Sequence, residues 1–430
     1  MAVRTYLQVW EAVADAMGVR VPGTLTAAST TALTIGSGNA ARYFRSNRTD
    51  ANNRLFEGVE VYVNSGTVPV PNPNTISAYV ASTSVLTPGV TYGTAPDATA
   101  TFDVITQGVW IQDIKDGIND ALRQLRYVHR APLTMVTEGD MDASGTTNWT
   151  ATNATLSKVT NTNAREGARS LRVLATAAAG QAQSDTIFVD PTNASAWFYL
   201  ARVRADIGTA RFIPYDVTNS ANISLTTDND WTLRGWGWLG GSFTLPATCE
   251  ALAARLVSVA NADDTYWDSV IMLPVGAKEA QLPSWIIRAD DYRRAFNLPA
   301  DPNRDLAGIT SYRTDDYVQD DPSSPNTQFW LRLDGGIYQP VGFEGARPYD
   351  VLSADADTTF CDRSWIELAG TVEALRRTIA RGGGGGGNVN HWKEMLYGGK
   401  GEPGKLRELK RMNWDLMPDR LLDFKFSRAV

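Results

Sequence analysis

Histidine and cysteine, the side chains most often used for acid–base, nucleophilic and metal chemistry, are scarce in this sequence. Two histidines, His129 and His391, and two cysteines, Cys249 and Cys361, occur in 430 residues. None of the four lies beside a recognisable nucleophile or at a metal-ligand spacing. We expect His129 to close a helix and both cysteines to be reduced core residues. The sequence predicts no catalytic residue and a protein that is not an enzyme.

Glycine-rich stretches near the end of the chain satisfy phosphate-loop spacings without the rest of the motif. Residues 399–405 read GKGEPGK, but Leu406 stands where a Ser or Thr would bind Mg²⁺, and no strand is predicted before them. Six consecutive glycines run from Gly382 to Gly387. Because glycine loses the most backbone entropy on ordering, such a run favours a hinge over a fixed site. These patterns require no cofactor.

Aromatic residues are the strongest candidates for ligand contact. Trp236 and Trp238 alternate at strand spacing in LRGWGWLGG, so both side chains can lie on one face of a sheet. Together with Tyr215 they are predicted to form either a platform for carbohydrate or a core or protein interface. Three other aromatic residues are predicted to fill a core: Trp197, Tyr199 and Trp267.

Hydrophobic periodicity predicts the elements that would position these residues. Apolar residues recur at helical spacing in several segments. Predicted helices cover residues 6–17, 109–128, 290–299, 365–381 and 404–417. Short Thr/Val-rich runs with Pro and Gly turns between residues 24 and 102 predict a small β-barrel or sandwich. Strand-like runs between residues 134 and 274 predict an antiparallel sandwich.

These elements predict an α+β, multi-domain chain in which a helical/β-barrel connector domain is interrupted by an antiparallel β-sandwich. The predicted assembly domain is discontinuous, because inserted domains occur at loops whose ends lie close together. The predicted divisions are 1–131 plus 276–381 for that domain, 132–275 for the inserted sandwich, 382–387 for the hinge and 388–430 for an extended C-terminal arm.

The segment 132–275 resembles a known family. Its stretches EGDMDASGTTNW, EGARSLRV, IPYDVT, FTLP and TYWDSVIMLP follow the order found in carbohydrate-binding-module jelly rolls of the cellulosome and xylanase type. The resemblance implies a jelly roll and a structural calcium, with Asp142 and Asp268 at the matching positions. Ser269 replaces one acid of the family motif. The alternative is that Asp140 and Asp142 cap a turn and Asp268 is a solvated strand residue.

The flanking segments resemble a second family in pattern only. DIKDGINDALRQL and GARPYDVLSADADTTFCDRSWIELAGTVEALRRTIA look like the neck proteins of tailed bacteriophages, the head–tail connectors or adaptors. The resemblance implies a virion protein, assembled in the host cytoplasm, that forms a ring under the portal. Its implied partners are the portal protein, neighbouring copies of the chain and other neck and tail proteins, with genome DNA passing through the ring.

The charge distribution favours protein partners. The chain carries a net charge of -7, which argues against a mainly nucleic-acid-binding protein. Residues 388–430 hold nine Lys or Arg against six Asp or Glu, a charge of +3. We expect this arm to dock on a partner chain through its apolar residues: Trp392, Leu396, Leu409 and Trp414. No run of 18 apolar residues occurs, so no membrane partner is predicted.

The leading hypothesis from the sequence is therefore a phage neck connector that oligomerises into a ring and docks on the portal and neighbouring subunits. One alternative is a carbohydrate-binding tail or surface protein that recognises host glycans through the jelly roll. A second alternative is a glycan-degrading enzyme with an attached module. That reaction needs two facing carboxylates, and no convincing pair stands out in the sequence.

Overall fold

The fold is mostly antiparallel β-structure with few helices, and it divides into two compact units. A computed structural model describes residues 4–36, 40, 43–44, 59–80, 82–106, 108–143, 145–160, 169–190, 192, 196–225, 230–283, 285–286, 291–297, 314–319, 329–359, 361–382, 389–399 and 402–416. The first unit is Met1–Arg126 with Pro348–Val430, and the second is Tyr127–Arg347.

The helices that the structure describes all belong to the first unit. They are α1 (Tyr6–Ala16), α2 (Ile111–Gln124), α3 (Arg363–Ala380), α4 (Val389–Tyr397) and α5 (Lys405–Leu416). The first strands of the chain also belong to this unit. They are β1 (Arg4–Thr5), β2 (Arg20–Ala28), β3 (Leu33–Ile35), β4 (Glu60–Val63), β5 (Asn74–Val80), β6 (Val85–Pro88) and β7 (Thr101–Ile105).

The second unit is built from strands. The first half comprises β8 (Arg126–Pro132), β9 (Trp149–Thr152), β10 (Ala154–Thr160), β11 (Arg169–Ala175), β12 (Gly180–Ser184), β13 (Ile187–Phe188), β14 (Ala196–Ile207), β15 (Ala210–Asp216) and β16 (Ala221–Asn222). The second half comprises β17 (Asp230–Trp231), β18 (Gly237–Thr244), β19 (Ala251–Ser258), β20 (Asp264–Pro274), β21 (Ala277–Gln281), β22 (Tyr292–Asn297), β23 (Thr314–Gln319), β24 (Phe329–Ile337) and β25 (Val341–Pro348). The last short strands belong to the first unit: β26 (Thr358–Thr359), β27 (Gly398–Gly399) and β28 (Glu402–Pro403).

Strands β2 to β7 form a closed barrel in the order β2-β3-β6-β5-β4-β7. Alternate residues of these strands point inward, and the barrel core includes Leu25, Val61, Ile76 and Phe102. Because the barrel is closed, it has no free sheet edge, and six short strands are enough to enclose a hydrophobic core. The predicted small barrel is confirmed.

The helices of the first unit pack around α3, which contacts α1, α2, α4 and α5. Helix α1 begins with a capping box. The backbone N–H of Gln8 donates to Thr5 Oγ1 at 3.3 Å, and the backbone N–H of Thr5 donates to the side-chain oxygen Oε1 of Gln8 at 3.1 Å. It ends before Gly18, whose φ of +69° suits glycine. The helices predicted at 6–17, 109–128, 365–381 and 404–417 are confirmed, with ends that differ by several residues.

Two antiparallel sheets form a sandwich in the second unit. One has the order β10-β11-β20-β14-β18; the other runs β16-β15-β19-β12-β9, with β13 paired to β19 and β17 to β15. Alternate residues of the facing strands fill the space between the sheets, including the predicted core aromatics Trp197, Tyr199 and Trp267. The jelly-roll-like sandwich expected in this segment is therefore confirmed as a fold.

A third layer covers one end of the first sheet on its outer side. The sheets β21-β24-β23 and β22-β25-β8 supply this layer. A second core lies here, where Phe198 and Leu200 of β14 meet Leu331 and Phe343. Because this core joins residues on both sides of position 276, the structure groups 276–347 with the sandwich, whereas the sequence placed 276–381 with the first unit.

The segment predicted as a helix at 290–299 forms strand β22 instead, so this prediction is wrong. Ala295 pairs with Phe343 of β25 and is fully buried. Pairing with a strand that already lies in the core outweighs the weak helical pattern. His129 likewise does not close a helix: α2 ends at Gln124, and His129 lies in β8.

Candidate functional site

The outer face of the β10-β11-β20-β14-β18 sheet carries arginines next to the part that the third layer covers, and Trp238 packs against the second core. Along β14, Ala201, Val203 and Ala205 point into the sandwich core. Strand alternation therefore turns Arg202 and Arg204 to the opposite face. These two cations are the residues that sequence reasoning missed, and their two-residue spacing in WFYLARVRA is the signal that marks them.

Aromatic rings lie against both cations. The Arg202 guanidinium carbon is 4.9 Å from the Trp238 ring centre, and the Arg204 carbon is 5.6 Å from that of Trp236. Arg204 is also 4.3 Å from the Tyr266 ring on the neighbouring strand. These distances are those of cation–π contacts. We call Trp236, Trp238, Tyr266, Arg202 and Arg204 the aromatic–arginine face.

Burial differs within the aromatic–arginine face. Trp236, Trp238 and Arg204 are half-buried, whereas Arg202 and Tyr266 are buried, at 4% and 6% exposure. Trp238 lies directly opposite Arg202 in the β14–β18 register, and Tyr266 lies opposite Arg204 in the β14–β20 register. Strand pairing thus fixes Trp238 and Tyr266, whereas Trp236 lies just before β18, and the two tryptophans keep part of their surface in solvent.

Carboxylates compensate the cations around this face. Asp206 Oδ1 and Oδ2 each lie 2.8 Å from nitrogens of Arg204. Asp264 accepts two hydrogen bonds from Arg172, at 2.8 and 2.7 Å. Burial and the neighbouring Asp264 raise the pKa of Tyr266, so its hydroxyl stays neutral. The face therefore presents rings and guanidinium N–H donors, and Asp206 compensates the charge of Arg204.

A glycine between the two tryptophans shapes the face. A Cβ atom on Gly237 would lie 2.0 Å from the Trp231 ring, so only glycine admits this close approach. Trp231 in turn donates from Nε1 to the carbonyl of Leu233 at 2.9 Å. Leu233 is 61% exposed. The glycine between the two tryptophans thus makes room on the inner side of the sheet for Trp231, which packs against the sandwich core.

Tyr215, the third predicted platform residue, lies on the other sheet. Its ring centre is 3.1 Å from the guanidinium carbon of Arg255, which also donates to Gln183 Oε1 at 2.8 Å. Tyr215 is half-buried. The structure therefore brings Trp236 and Trp238 together on one face and leaves Tyr215 on a different sheet.

The residues proposed for calcium are held by nitrogen donors. Asp142 Oδ1 accepts the backbone N–H of Arg169 at 2.8 Å, and Asp142 Oδ2 lies 3.3 Å from Arg347 Nη1. Asp268 lies opposite Arg202 in the strand register and accepts from its neighbour Ser269 at 2.8 Å. Asp142 and Asp268 are fully buried, so Asp268 is not a solvated strand residue.

Calcium prefers six to eight oxygen ligands, and these carboxylates are already occupied by N–H groups. Among the residues that the structure describes, no group of three or more His, Cys, Asp and Glu side chains is placed to hold a metal ion. The residues present thus do not fit the calcium that the resemblance implied.

His129 belongs to the same buried cluster. Its Nε2 is 3.5 Å from Asp140 Oδ2 and its Nδ1 is 3.4 Å from Asp142 Oδ2. The Trp285 ring packs edge-on at 5.2 Å from the imidazole centre. Burial alone would raise the pKa of Asp140, but the neighbouring His129 and the charge of Arg347 lower it below the usual range.

The predicted docking arm packs on its own unit as far as the structure describes it. Trp392, Leu396 and Leu409 are buried, at 6%, 0% and 1% exposure. They belong to α4 and α5, which contact α3. Trp414 lies in α5, and its side chain is outside the described residues. The prediction that these three side chains contact another chain is therefore not supported by their burial.

The hinge is described only at its start. Gly382 follows α3 with a φ of +78°, which favours glycine, and Gly387 lies outside the described residues. Both cysteines are free and buried, as predicted. No helix in the described ranges is both long and apolar enough to cross a membrane. The absence of a catalytic centre stays a prediction.

The class that the second unit defines is an antiparallel, jelly-roll-like sandwich with an added layer. No family model matches the chain, and no curated protein matches it. Among solved structures, the enzymatically active domain of bacteriophage CBA120 tailspike protein 4 is 12% identical, with a TM-score of 0.27, over 33% of this chain and 22% of that one.

Carbohydrate-binding modules are also similar to part of the chain. The xylan-binding CBM22-1 domain of Paenibacillus barcinonensis Xyn10C is 14% identical, with a TM-score of 0.26, over 34% of this chain and 92% of that one. A family 16 carbohydrate-binding module is 13% identical, with a TM-score of 0.26, over 33% of this chain and 99% of that one. None of these similarities extends to a neck connector, and at these TM-scores none carries a functional argument.

Proposed function

We propose that this chain is a carbohydrate-binding protein and that the aromatic–arginine face of its second unit contacts the glycan. The observation that carries the proposal is the pair of half-buried indoles, Trp236 and Trp238, on one sheet face with a guanidinium against each ring. The axial C–H groups of a pyranose stack on such rings, and N–H donors at their edges hydrogen-bond its hydroxyls.

Preorganisation supports this function. Strand pairing fixes the position of Trp238, and ion pairing with Asp206 holds Arg204, which contacts the Trp236 ring, in place. A ligand that binds fixed rings loses less free energy in ordering the protein. Because Asp206 compensates the charge of Arg204, the face suits a neutral glycan better than a strongly anionic one. The proposed partner is therefore a host glycan.

Glycan-array screening of the purified chain tests the proposal, followed by calorimetric titration with the best ligand. Trp236→Ala and Trp238→Ala are each expected to weaken binding roughly 10-fold or more, because buried aromatic anchors dominate such interfaces. Tyr215→Ala on the other sheet is the matched control and should leave the affinity unchanged. Loss of binding in Tyr215→Ala alone, or an array without any hit for the wild type, would reject the proposal.

The neck-connector hypothesis rests on the sequence pattern of the first unit. Burial of Trp392, Leu396 and Leu409 within their own unit removes the argument from a free docking arm. A virion location and a ring of subunits remain predictions for the same chain. Light scattering of the purified protein and proteomics of virions test them, and a screen of polysaccharide hydrolysis tests the enzymatic alternative.

A further inference from the structure

A buried ionic cluster lies where the chain enters and leaves the second unit. Arg347 Nη1 is 3.2 Å from Asp140 Oδ2 and 3.3 Å from Asp142 Oδ2, so one guanidinium nitrogen bridges two carboxylates. Arg347 is 7% exposed, Asp140 8% and Asp142 0%. Two carboxylates held this close and out of water repel each other unless a cation lies between them.

The remaining atoms of the two carboxylates also have nitrogen partners. Trp285 Nε1 donates to Asp140 Oδ2 at 3.2 Å, and the backbone N–H of Asp142 lies 3.5 Å from Asp140 Oδ1. The backbone N–H of Arg169 donates to Asp142 Oδ1 at 2.8 Å. His129 directs one ring nitrogen toward each carboxylate, at 3.5 and 3.4 Å. Both carboxylates thus face nitrogen groups of the protein.

The cluster joins two parts of the chain that are far apart in sequence. His129 lies in β8, Asp140 and Asp142 lie in the loop that follows it, and Arg347 lies near the end of β25. Strands β8 and β25 are neighbours in one sheet. A contact from Arg347 to the loop therefore ties the first strand of the unit to its last.

We infer that the Arg347 guanidinium is a built-in cation that takes the place of the structural calcium implied by the carbohydrate-binding-module resemblance. It neutralises the opening acidic loop of the sandwich and fastens that loop to β25. The sandwich then folds without calcium, and its stability depends on residue 347, which lies outside the segment that resembles the family. This inference does not depend on whether the chain binds glycan.

Thermal unfolding of the full chain with chelator or with millimolar calcium tests the inference. The wild type is expected to have the same Tm in both conditions. Arg347→Gln should lower the Tm in chelator by roughly 10 °C, because it leaves two buried carboxylates without their cation. Calcium should restore part of that loss in Arg347→Gln, since a metal that binds only the folded state stabilises it.

Two further variants separate charge from packing. Arg347→Lys keeps a cation and should lose less Tm than Arg347→Gln. Arg363→Gln removes an exposed arginine that pairs with Glu367 at 2.7 Å and should change the Tm by no more than about 1–2 °C. A wild-type Tm that rises with calcium would overturn the inference. So would an Arg347→Gln chain as stable as the wild type, or one whose Tm is lowered and stays insensitive to calcium.

A double variant decides the case in which Arg347→Gln fails to fold. Adding Asp140→Asn removes one of the two repelling charges while Asp142 keeps its hydrogen bond from Arg169. The pair Arg347→Gln with Asp140→Asn should fold and melt above the single Arg347→Gln chain. If Asp140→Asn brings no recovery, Arg347 acts through packing and the inference is wrong.

Discussion

Glu60 is a buried residue whose side chain caps a helix that lies 51 residues later in the sequence. It lies on β4 of the barrel, and its Oε2 accepts the backbone N–H of Ile111, the first residue of α2, at 2.7 Å. Trp110, the N-cap residue of that helix, provides no side-chain cap. Glu60 thus satisfies one of the amide groups that every helix start leaves unpaired.

Burial is the main cause that raises the pKa of Glu60 to about 7, and nearby Asp113 raises it further, while Arg381 and the bond from Ile111 oppose the change. The folded pKa lies above the unfolded value of 4.5. The folded state therefore binds more protons between these values, and the free energy of unfolding falls as pH rises from 4.5 to about 7.

Glu60→Gln removes this pH dependence and keeps an acceptor for the Ile111 amide. Relative to the wild type, we expect the variant to gain up to about 3 kcal/mol of stability on going from about pH 5 to about pH 8. Urea unfolding followed by the helical circular-dichroism signal measures it, because the helices lie in the first unit. A stability difference that is the same at both pH values would show that Glu60 titrates normally.

At the residue scale, the sequence predicts which side chains are buried better than it predicts which residues they contact. Trp197, Tyr199 and Trp267 were predicted as core because large aromatic residues on alternating strands pack inward, and all three are buried. The contacts of Trp236 and Trp238 with Arg204 and Arg202 were not predicted. They depend on β14 lying between β18 and β20, a sheet order that alternation along one strand does not encode.

Helices α2 and α3 approach closely at a glycine. A Cβ atom on Gly117 of α2 would lie 2.6 Å from the backbone nitrogen of Ala374 in α3. Gly370 of α3 faces the same helix, but its added Cβ would meet side-chain carbons of Ile118 and Val13 at 3.1 Å. Side chains can shift by a few tenths of an ångström, whereas a helix backbone moves only with the whole element.

Gly117→Ala should therefore destabilise the first unit by about 1–3 kcal/mol, despite the gain of roughly 1 kcal/mol in helix propensity. Gly370→Ala is the matched control, and we expect a change close to zero, since its propensity gain offsets a milder contact. Urea unfolding monitored by helical circular dichroism compares the two. Equal free energies of unfolding for the two variants would contradict the prediction, because they would show that α2 and α3 can move apart at Gly117 with little loss of stability.

At the element scale, the hydrophobic pattern predicts where helices form better than it predicts which elements pack against them. The amphipathic pattern of α5 indicated a helix with an apolar face but not what covers that face. In the structure α4 and α5 pack on α3, so Leu396 and Leu409 are covered within their own unit. A glycine run before an amphipathic helix is compatible with return to the same unit as well as with docking elsewhere.

The second unit has both chain ends in one sheet. Strand β8 begins it, β25 ends it, and the two are paired neighbours. Inserted domains tend to have such adjacent ends, because the host chain is then little disturbed. The unit also keeps its third layer, which covers Ile271 and Leu273 of β20. The sequence placed the boundaries at 132 and 275 because strand-like runs extend from Thr134 to Pro274 and a helical pattern follows them.

These boundaries predict different behaviour for two fragments. Residues 127–347 should fold alone and unfold in one cooperative transition. Residues 132–275 lack β8 and everything after β20, so they expose four side chains of the second core: Phe198, Leu200, Ile271 and Leu273. Each would cost about 1.5–3 kcal/mol in lost burial. We expect the shorter fragment to aggregate or to melt at least about 10 °C below the longer one, because each kcal/mol of lost stability lowers the Tm of a domain of this size by roughly 2–4 °C.

Calorimetry and size-exclusion chromatography of the two fragments provide the measurement. The shorter fragment with Phe198→Ser and Ile271→Ser is the control, because polar residues on the newly exposed face should restore solubility if exposure is the cause. Equal melting temperatures for 127–347 and 132–275 would mean that the sandwich is complete without its third layer. The added layer would then be a separate module, and the predicted boundaries at 132 and 275 would stand.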